Sequence, residues 1–192
     1  MIILENALIV SYNEQGIDNI SNLLKMLSCK KITIAKTCGE ARRLANEKAF
    51  DLYIINSPVH NETGEELAKE LINNDCSQVV LLVKNDIFNY VSNQVEDYGI
   101  ITISKPVNKG MLWSALKLAK ASYGRLKNMK KKNDKLTQTI DDIKIVNRAK
   151  FILISHLNMS EVEAHKFIEK KAMDTRLSRR DVARSILRTY EN

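Results

Sequence analysis

Cysteine is scarce in this chain of 192 residues: Cys29, Cys38 and Cys76 are its only thiols, and no two of them form a CxxC pair. Their spacing, with no histidine nearby, offers no metal-ligand set, so they read as reduced thiols half buried in a core. Two prolines and six glycines leave no material for a long Pro/Gly linker. Long apolar runs are missing as well. Stretches such as Val79–Val83 fall far short of the roughly 20 residues that span a bilayer. Met1–Val10 includes Glu5 and Asn6 and lacks a cleavage pattern, so no signal peptide is read and the expected compartment is the cytoplasm. No nucleophile–base pair is evident either. The expectation is a non-enzyme with no cofactor and no metal.

What is present is a globular composition, 44% hydrophobic and 28% charged, in a length that suits one ordinary domain and a smaller one. Charge divides unevenly along it. Residues 1–119 hold 12 Lys/Arg and 14 Asp/Glu, a net −2, whereas residues 120–192 hold 18 and 9, a net +9. A near-neutral front and a basic back imply that the back meets a polyanion.

The front alternates strand and helix. Ala7–Val10, Lys31–Ala35, Asp51–Ile55, Val79–Val83 and Ile100–Ile103 are short apolar runs that read as strands. Between them lie a helical pattern over Gly16–Met26, capping boxes at Thr37–Glu40 and Thr63–Glu66, and a weaker helix over Asp86–Asp97. A fifth helix begins at Asn108. Strands buried on both faces require a parallel sheet covered on both sides. Five repeats in about 120 residues is the size of a flavodoxin-like, doubly wound α/β fold.

Asn56, Ser57 and Pro58 after the third strand, Thr63 and Gly64, and Lys105–Pro106 after the fifth together resemble the central motifs of bacterial response-regulator receiver domains. The resemblance implies a receiver-like domain over residues 1–122, with Lys105–Pro106 as a cis peptide. It also implies a phosphate-accepting Asp where this chain has Asn56 and a metal-binding acidic pair where it has Ser11 and Tyr12. A Ser/Thr is implied where it has Val83. Only Lys105 matches. An aspartyl phosphate needs a carboxylate nucleophile and a metal held by hard oxygen ligands, so the expectation is a pseudo-receiver without a phosphoacceptor. Lys105 is then left to hold a backbone carbonyl or Asn56.

From the fifth helix the pattern runs on with no breaker stronger than Gly124. A heptad frame places Leu126, Asn133 and Ile140 at a, and Met129, Leu136 and Ile143 at d. This reads as a two-stranded seam over residues 123–146, with Asn133 setting a parallel register and a homodimer as the outcome.

Residues 137–192 read as three helices. Ile145, Ala149, Ile152 and Leu153 mark the first inward face. Ser160–Glu163 caps the second, with Val162, Ala164, Phe167, Ile168 and Ala172 inward. Ser178–Asp181 opens the third, with Val182, Ala183, Ile186 and Leu187 inward. Phe151 and Met173 are also assigned to apolar faces. Arg148, Ala149 and Lys150, then Ser160 through His165, then Ala172, Met173, Asp174 and Arg176, then Asp181 through Ala183, resemble the ANTAR domain. That resemblance implies a small helical RNA-binding module of transcription antiterminators, which binds paired hairpins in a nascent leader transcript. RNA loops expose phosphates and unstacked bases that Lys and Arg can reach. The candidate contacts are Arg148, Lys150, His165, Lys166, Arg176, Arg179, Arg180 and Arg184, with Lys170, Lys171 and Arg188 extending the field.

The expected function is therefore a dimeric RNA-binding antiterminator, constitutive or controlled by a regulatory protein partner. Two alternatives remain open: a DNA-binding regulator using the third helix, and a protein-interaction module whose basic tail binds an acidic partner.

Overall fold

The computed structural model describes residues 4–60, 62–73 and 76–190. The short apolar runs become five strands: β1 Asn6–Val10, β2 Lys31–Ala35, β3 Leu52–Asn56, β4 Gln78–Lys84 and β5 Ile101–Lys105. They form one parallel sheet in the order β2-β1-β3-β4-β5. The helices are α1 Glu14–Met26, α2 Cys38–Glu47, α3 Glu65–Ile72, α4 Phe88–Val95, α5 Lys109–Leu157, α6 Glu161–Thr175 and α7 Arg179–Tyr190. The chain divides into two compact units, Met1–Lys130 and Lys131–Asn192.

In the first unit, strand alternation sorts the core into two layers. Leu8, Val10, Tyr53, Ile55, Val79, Leu81 and Val83 pack with Ala41, Leu44, Leu67, Leu71, Val91 and Val95 of α2, α3 and α4. Ala7, Ile9, Leu52, Ile54, Val80, Leu82 and Ile103 pack with Ile17, Ile20 and Leu24 of α1 and with Leu112, Leu116, Ala119 and Tyr123 of α5. The first turns of α5 thus belong to this unit's own core. Asp51, at the start of β3, anchors them. Its carboxylate accepts from the Tyr123 hydroxyl at 2.5 Å and from the Asn6 backbone N–H at 3.2 Å. Burial, and then the Asp51 carboxylate, push the Tyr123 phenol above its ordinary range.

Three local expectations are corrected. Thr37 caps α2 by accepting from the Glu40 N–H at 3.1 Å, but the Glu40 carboxylate takes the Lys36 N–H at 2.8 Å, so the box closes one residue early. Thr63 does not cap α3. Gly64 precedes that helix with φ +79° and makes no side-chain cap bond, and a Cβ there would lie 2.9 Å from Ile55 Cγ2. The Thr-Gly pair matters for its glycine, the residue that enters left-handed backbone at no steric cost. The helix expected over residues 86–97 is broken into 3₁₀ turns at Asn85–Ile87 and Glu96–Tyr98 on either side of α4, ending at Gly99 with φ +75°. The peptides before Pro58 and Pro106 are both cis.

In the second unit, the end of α5 packs with α6 and α7 through Ala149, Ile152, Leu153, Ala164, Ile168, Ala172, Val182, Ala183 and Ile186. Four alanines in so small a core let the helices approach closely. Asn158 ends α5 at φ +51°, a conformation asparagine tolerates. Ser160 and Glu163 form the full reciprocal capping box. Hydrogen bonds from the Ser160 backbone and hydroxyl hold the Glu163 carboxyl below its ordinary value. Val162, Phe151 and Met173, expected on apolar faces, are 63%, 69% and 78% exposed. The buried stripe of α6 is only Ala164, Ile168 and Ala172 wide. Three short helices cannot cover more of its circumference.

Candidate functional site

The carboxyl ends of β1, β3 and β5 bring together Ser11, Asn56 and Lys105. The Asn56 amide donates to the Ser11 hydroxyl at 3.0 Å. The Lys105 ammonium donates to the Ser57 carbonyl, the kind of backbone acceptor expected for it. Burial first, and then the like charge of Lys84, lower the Lys105 pKa. Tyr12 turns outward, 51% exposed, with its ring 5.7 Å from that of His60. Val83 is fully buried and supplies no hydroxyl. Among the described residues no group of three or more His, Cys, Asp or Glu side chains could hold a metal ion. The side chains present, an amide, a hydroxyl, a phenol and an amine, do not fit the hard-cation site of a phosphorylating receiver.

The second unit contains a cleft of about 410 Å³ lined by, among others, Asn147, Lys150, His165, Ser178, Arg179 and Arg180. Four of the expected RNA-contacting residues therefore converge. Each already has a carboxylate partner. Lys150 pairs with Glu161 at 3.1 Å, its side chain only 15% exposed. His165 and Arg179 share Glu169, at 3.3 and 3.1 Å. Arg180 donates to Asp142 at 2.6 Å, while its Nε is buried without a hydrogen-bond partner.

A second set of cations is exposed and makes no ion pair among the described residues. It comprises Lys166 and Lys170 on α6, Arg184 and Arg188 on α7, and Arg176 in the turn between them. Arg148 is exposed on α5. Arg176 holds left-handed backbone, φ +55°, where glycine is the ordinary choice. Its N–H donates to the Met173 carbonyl and that of Leu177 to Ala172, which closes the helix end in a Schellman pattern. Exposed apolar groups stand on the same small domain. These are Phe151 and Met173; His156 and Tyr190 form a stacked ring pair with centroids 5.7 Å apart. Sequence periodicity missed them because it assigns a face without saying whether anything covers it.

Comparison with known proteins agrees with this division. Residues 134–187 match the ANTAR domain. Over 150 residues the chain is 26% identical to the transcriptional regulatory protein PdtaR of Mycobacterium tuberculosis, covering 78% of this chain and 73% of the relative. Solved structures share the fold of the first unit. One is a CheY-like response regulator receiver domain from Methanospirillum hungatei (TM-score 0.54, 20% identity, 64% of this chain and 98% of that one). Another is a two-component AraC-type transcriptional regulator from Clostridium phytofermentans (TM-score 0.58, 17% identity, 64% and 98%). The first unit is thus a receiver fold. Joined through a 49-residue helix to an ANTAR domain, it gives the chain the build of an ANTAR-domain response regulator.

Proposed function

We propose that this protein is a dimeric RNA-binding transcription antiterminator whose receiver-like domain works without phosphorylation. The observation that carries the reading is the set of exposed cations that make no ion pair among the described residues, Lys166, Lys170, Arg176, Arg184 and Arg188, on a domain that matches ANTAR. Such side chains neutralise phosphates and release counterions, which gives affinity without sequence preference. Specificity needs groups that reach unstacked bases. Phe151 and Met173 are exposed apolar surfaces suited to that contact, and the cleft of Asn147, His165 and Arg179 offers hydrogen-bonding groups for base edges. Similarity to a transcriptional regulatory protein supports placing the RNA in a transcript under regulation. The role of such a chain is regulatory rather than catalytic.

Dimerisation supplies two copies for paired hairpins. Leu126, Met129, Leu136, Ile140 and Ile143 are 37–63% exposed on a helix otherwise dense in charge. Burying each against a partner helix would contribute roughly 1–3 kcal/mol. Asn133, also exposed, would pair with its twin and favour two parallel strands. With Asn56 in place of a carboxylate, control falls to constitutive dimerisation or to a sequestering protein.

Crosslinking the protein to RNA in cells and sequencing the bound fragments tests this. Leader segments with two adjacent hairpins overlapping a terminator are expected. Recovery of unstructured RNA, or of promoter DNA in a parallel DNA experiment, would sink the reading.

A further inference from the structure

The first unit has a cleft of about 410 Å³ between α1 and the start of α5. It reaches Asn56 at the end of β3, next to β1, where the winding of the sheet reverses. Open α/β sheets take their ligands at that position, and the volume is within the range of small-molecule sites. Its polar wall consists of four amides, Asn13, Asn19, Asn22 and Asn56, and two amines, Lys105 and Lys109. Among the described residues that line it there is no carboxylate. Leu23, Leu82 and Leu112 provide an apolar floor.

The local charge opposes that of the surrounding domain, which is net −2 over residues 1–119. Lys105 is half-buried, its hydrogen-bond acceptor is a backbone carbonyl, and Lys84 acts on it as a like charge. A partly desolvated ammonium without a counter-ion is unfavourable, and an oxyanion entering the cleft would supply one. The amides can donate to the same anion. Asn56 is held in place for this. Its amide donates to Ser11, and it sits so close to α1 that a Cβ on Gly16 would lie 2.9 Å from its nitrogen.

We propose that this cleft binds a small organic oxyanion, a carboxylate or phosphate monoester on a short apolar body, with Lys105 and Lys109 holding the charge. The site that lost a covalent phosphate acceptor becomes a reversible anion receptor. This goes beyond RNA binding by the second unit and is tested separately from it.

The full chain, ¹⁵N-labelled, is titrated with hexanoate, hexyl phosphate, hexanol and hexylammonium. Saturable shifts at Gly16, Asn56 and the Asn13 side chain are expected with hexanoate or hexyl phosphate, and the stronger of these identifies the anion class. Lys105→Met and Lys109→Met should each weaken that binding about tenfold, the worth of one charged hydrogen bond, while RNA affinity is unchanged. Lys109 is exposed, so its variant decides the matter if the Lys105 variant does not fold. Equal binding of hexanol, shifts confined to residues 120–192, or full affinity in the Lys109 variant would overturn the proposal.

Discussion

The Arg180 guanidinium meets the Asp142 carboxylate at 2.6 Å and so ties the first turn of α7 to α5 within the second unit. The pair is partly exposed, at 26% and 40%, which keeps it well below the energy of a fully buried ion pair. Arg180→Met is expected to cost about 1–2 kcal/mol. Thermal melts of the single variants and of Arg180→Met with Asp142→Asn should show that the two losses do not add. Additive losses would mean that the pair contributes nothing.

Arg176 separates stability from function. Its left-handed backbone favours glycine, so Arg176→Gly should stabilise the chain by roughly 0.5–1 kcal/mol. The same change removes an exposed cation and should weaken RNA binding several-fold. Denaturation and RNA titration on one sample check both signs. A variant less stable than the parent, or one with unchanged RNA affinity, contradicts the role assigned to this turn.

The seam of α5 should fail at its middle. Leu136→Asp with Ile140→Asp places charge where a partner helix is expected to pack, and light scattering at micromolar concentration should show monomers. The melting of the receiver fold should change little, because Leu112, Leu116, Ala119 and Tyr123 hold α5 to it upstream. A variant that remains dimeric would move the interface elsewhere.

Restoring one carboxylate should not restore phosphorylation. Asn56→Asp still lacks an acidic pair at Ser11 and Tyr12 to hold a divalent cation. Incubation with acetyl phosphate and magnesium, read by intact mass, should show no added phosphoryl group. Labelling of the parent chain would contradict the pseudo-receiver reading outright.

Cys38 is 1% exposed, and burial pushes its thiol from the ordinary 9.0 to about 11. Between those values the unfolded chain has lost a proton that the folded chain keeps. Stability should therefore fall as pH rises from about 9 to 11, by roughly 1–3 kcal/mol from this group. Urea melts of the parent and Cys38→Ala should differ in slope against pH across that window.

The central strands β1, β3 and β4 are legible because they are buried on both faces, as in Leu52–Asn56, and such runs announce themselves without knowledge of neighbours; the outer strands β2 and β5 are only partly buried. The cap at Ser160 was legible because both partners lie within three residues. What escaped depends on distance or on absence. Asp142 and Arg180 are 38 residues apart with no sequence signal linking them. Phe151 and Met173 fit a helical apolar pattern, but they stand exposed among the described residues. Lys150 looked as available as Arg176, yet Glu161 holds it. Among the described residues the candidate contacts thus include cations held by a carboxylate, such as Lys150, and exposed ones that make no ion pair, such as Arg176, a distinction that only packing reveals.

The most direct measurement is a titration of the purified protein against four nucleic acids at physiological salt: a two-hairpin leader RNA, one hairpin alone, a scrambled RNA and duplex DNA. A dimeric antiterminator should bind one dimer per two-hairpin RNA, bind the other three clearly more weakly, and lose affinity steeply with added salt. Equal affinity for scrambled RNA, or preference for duplex DNA, would contradict it.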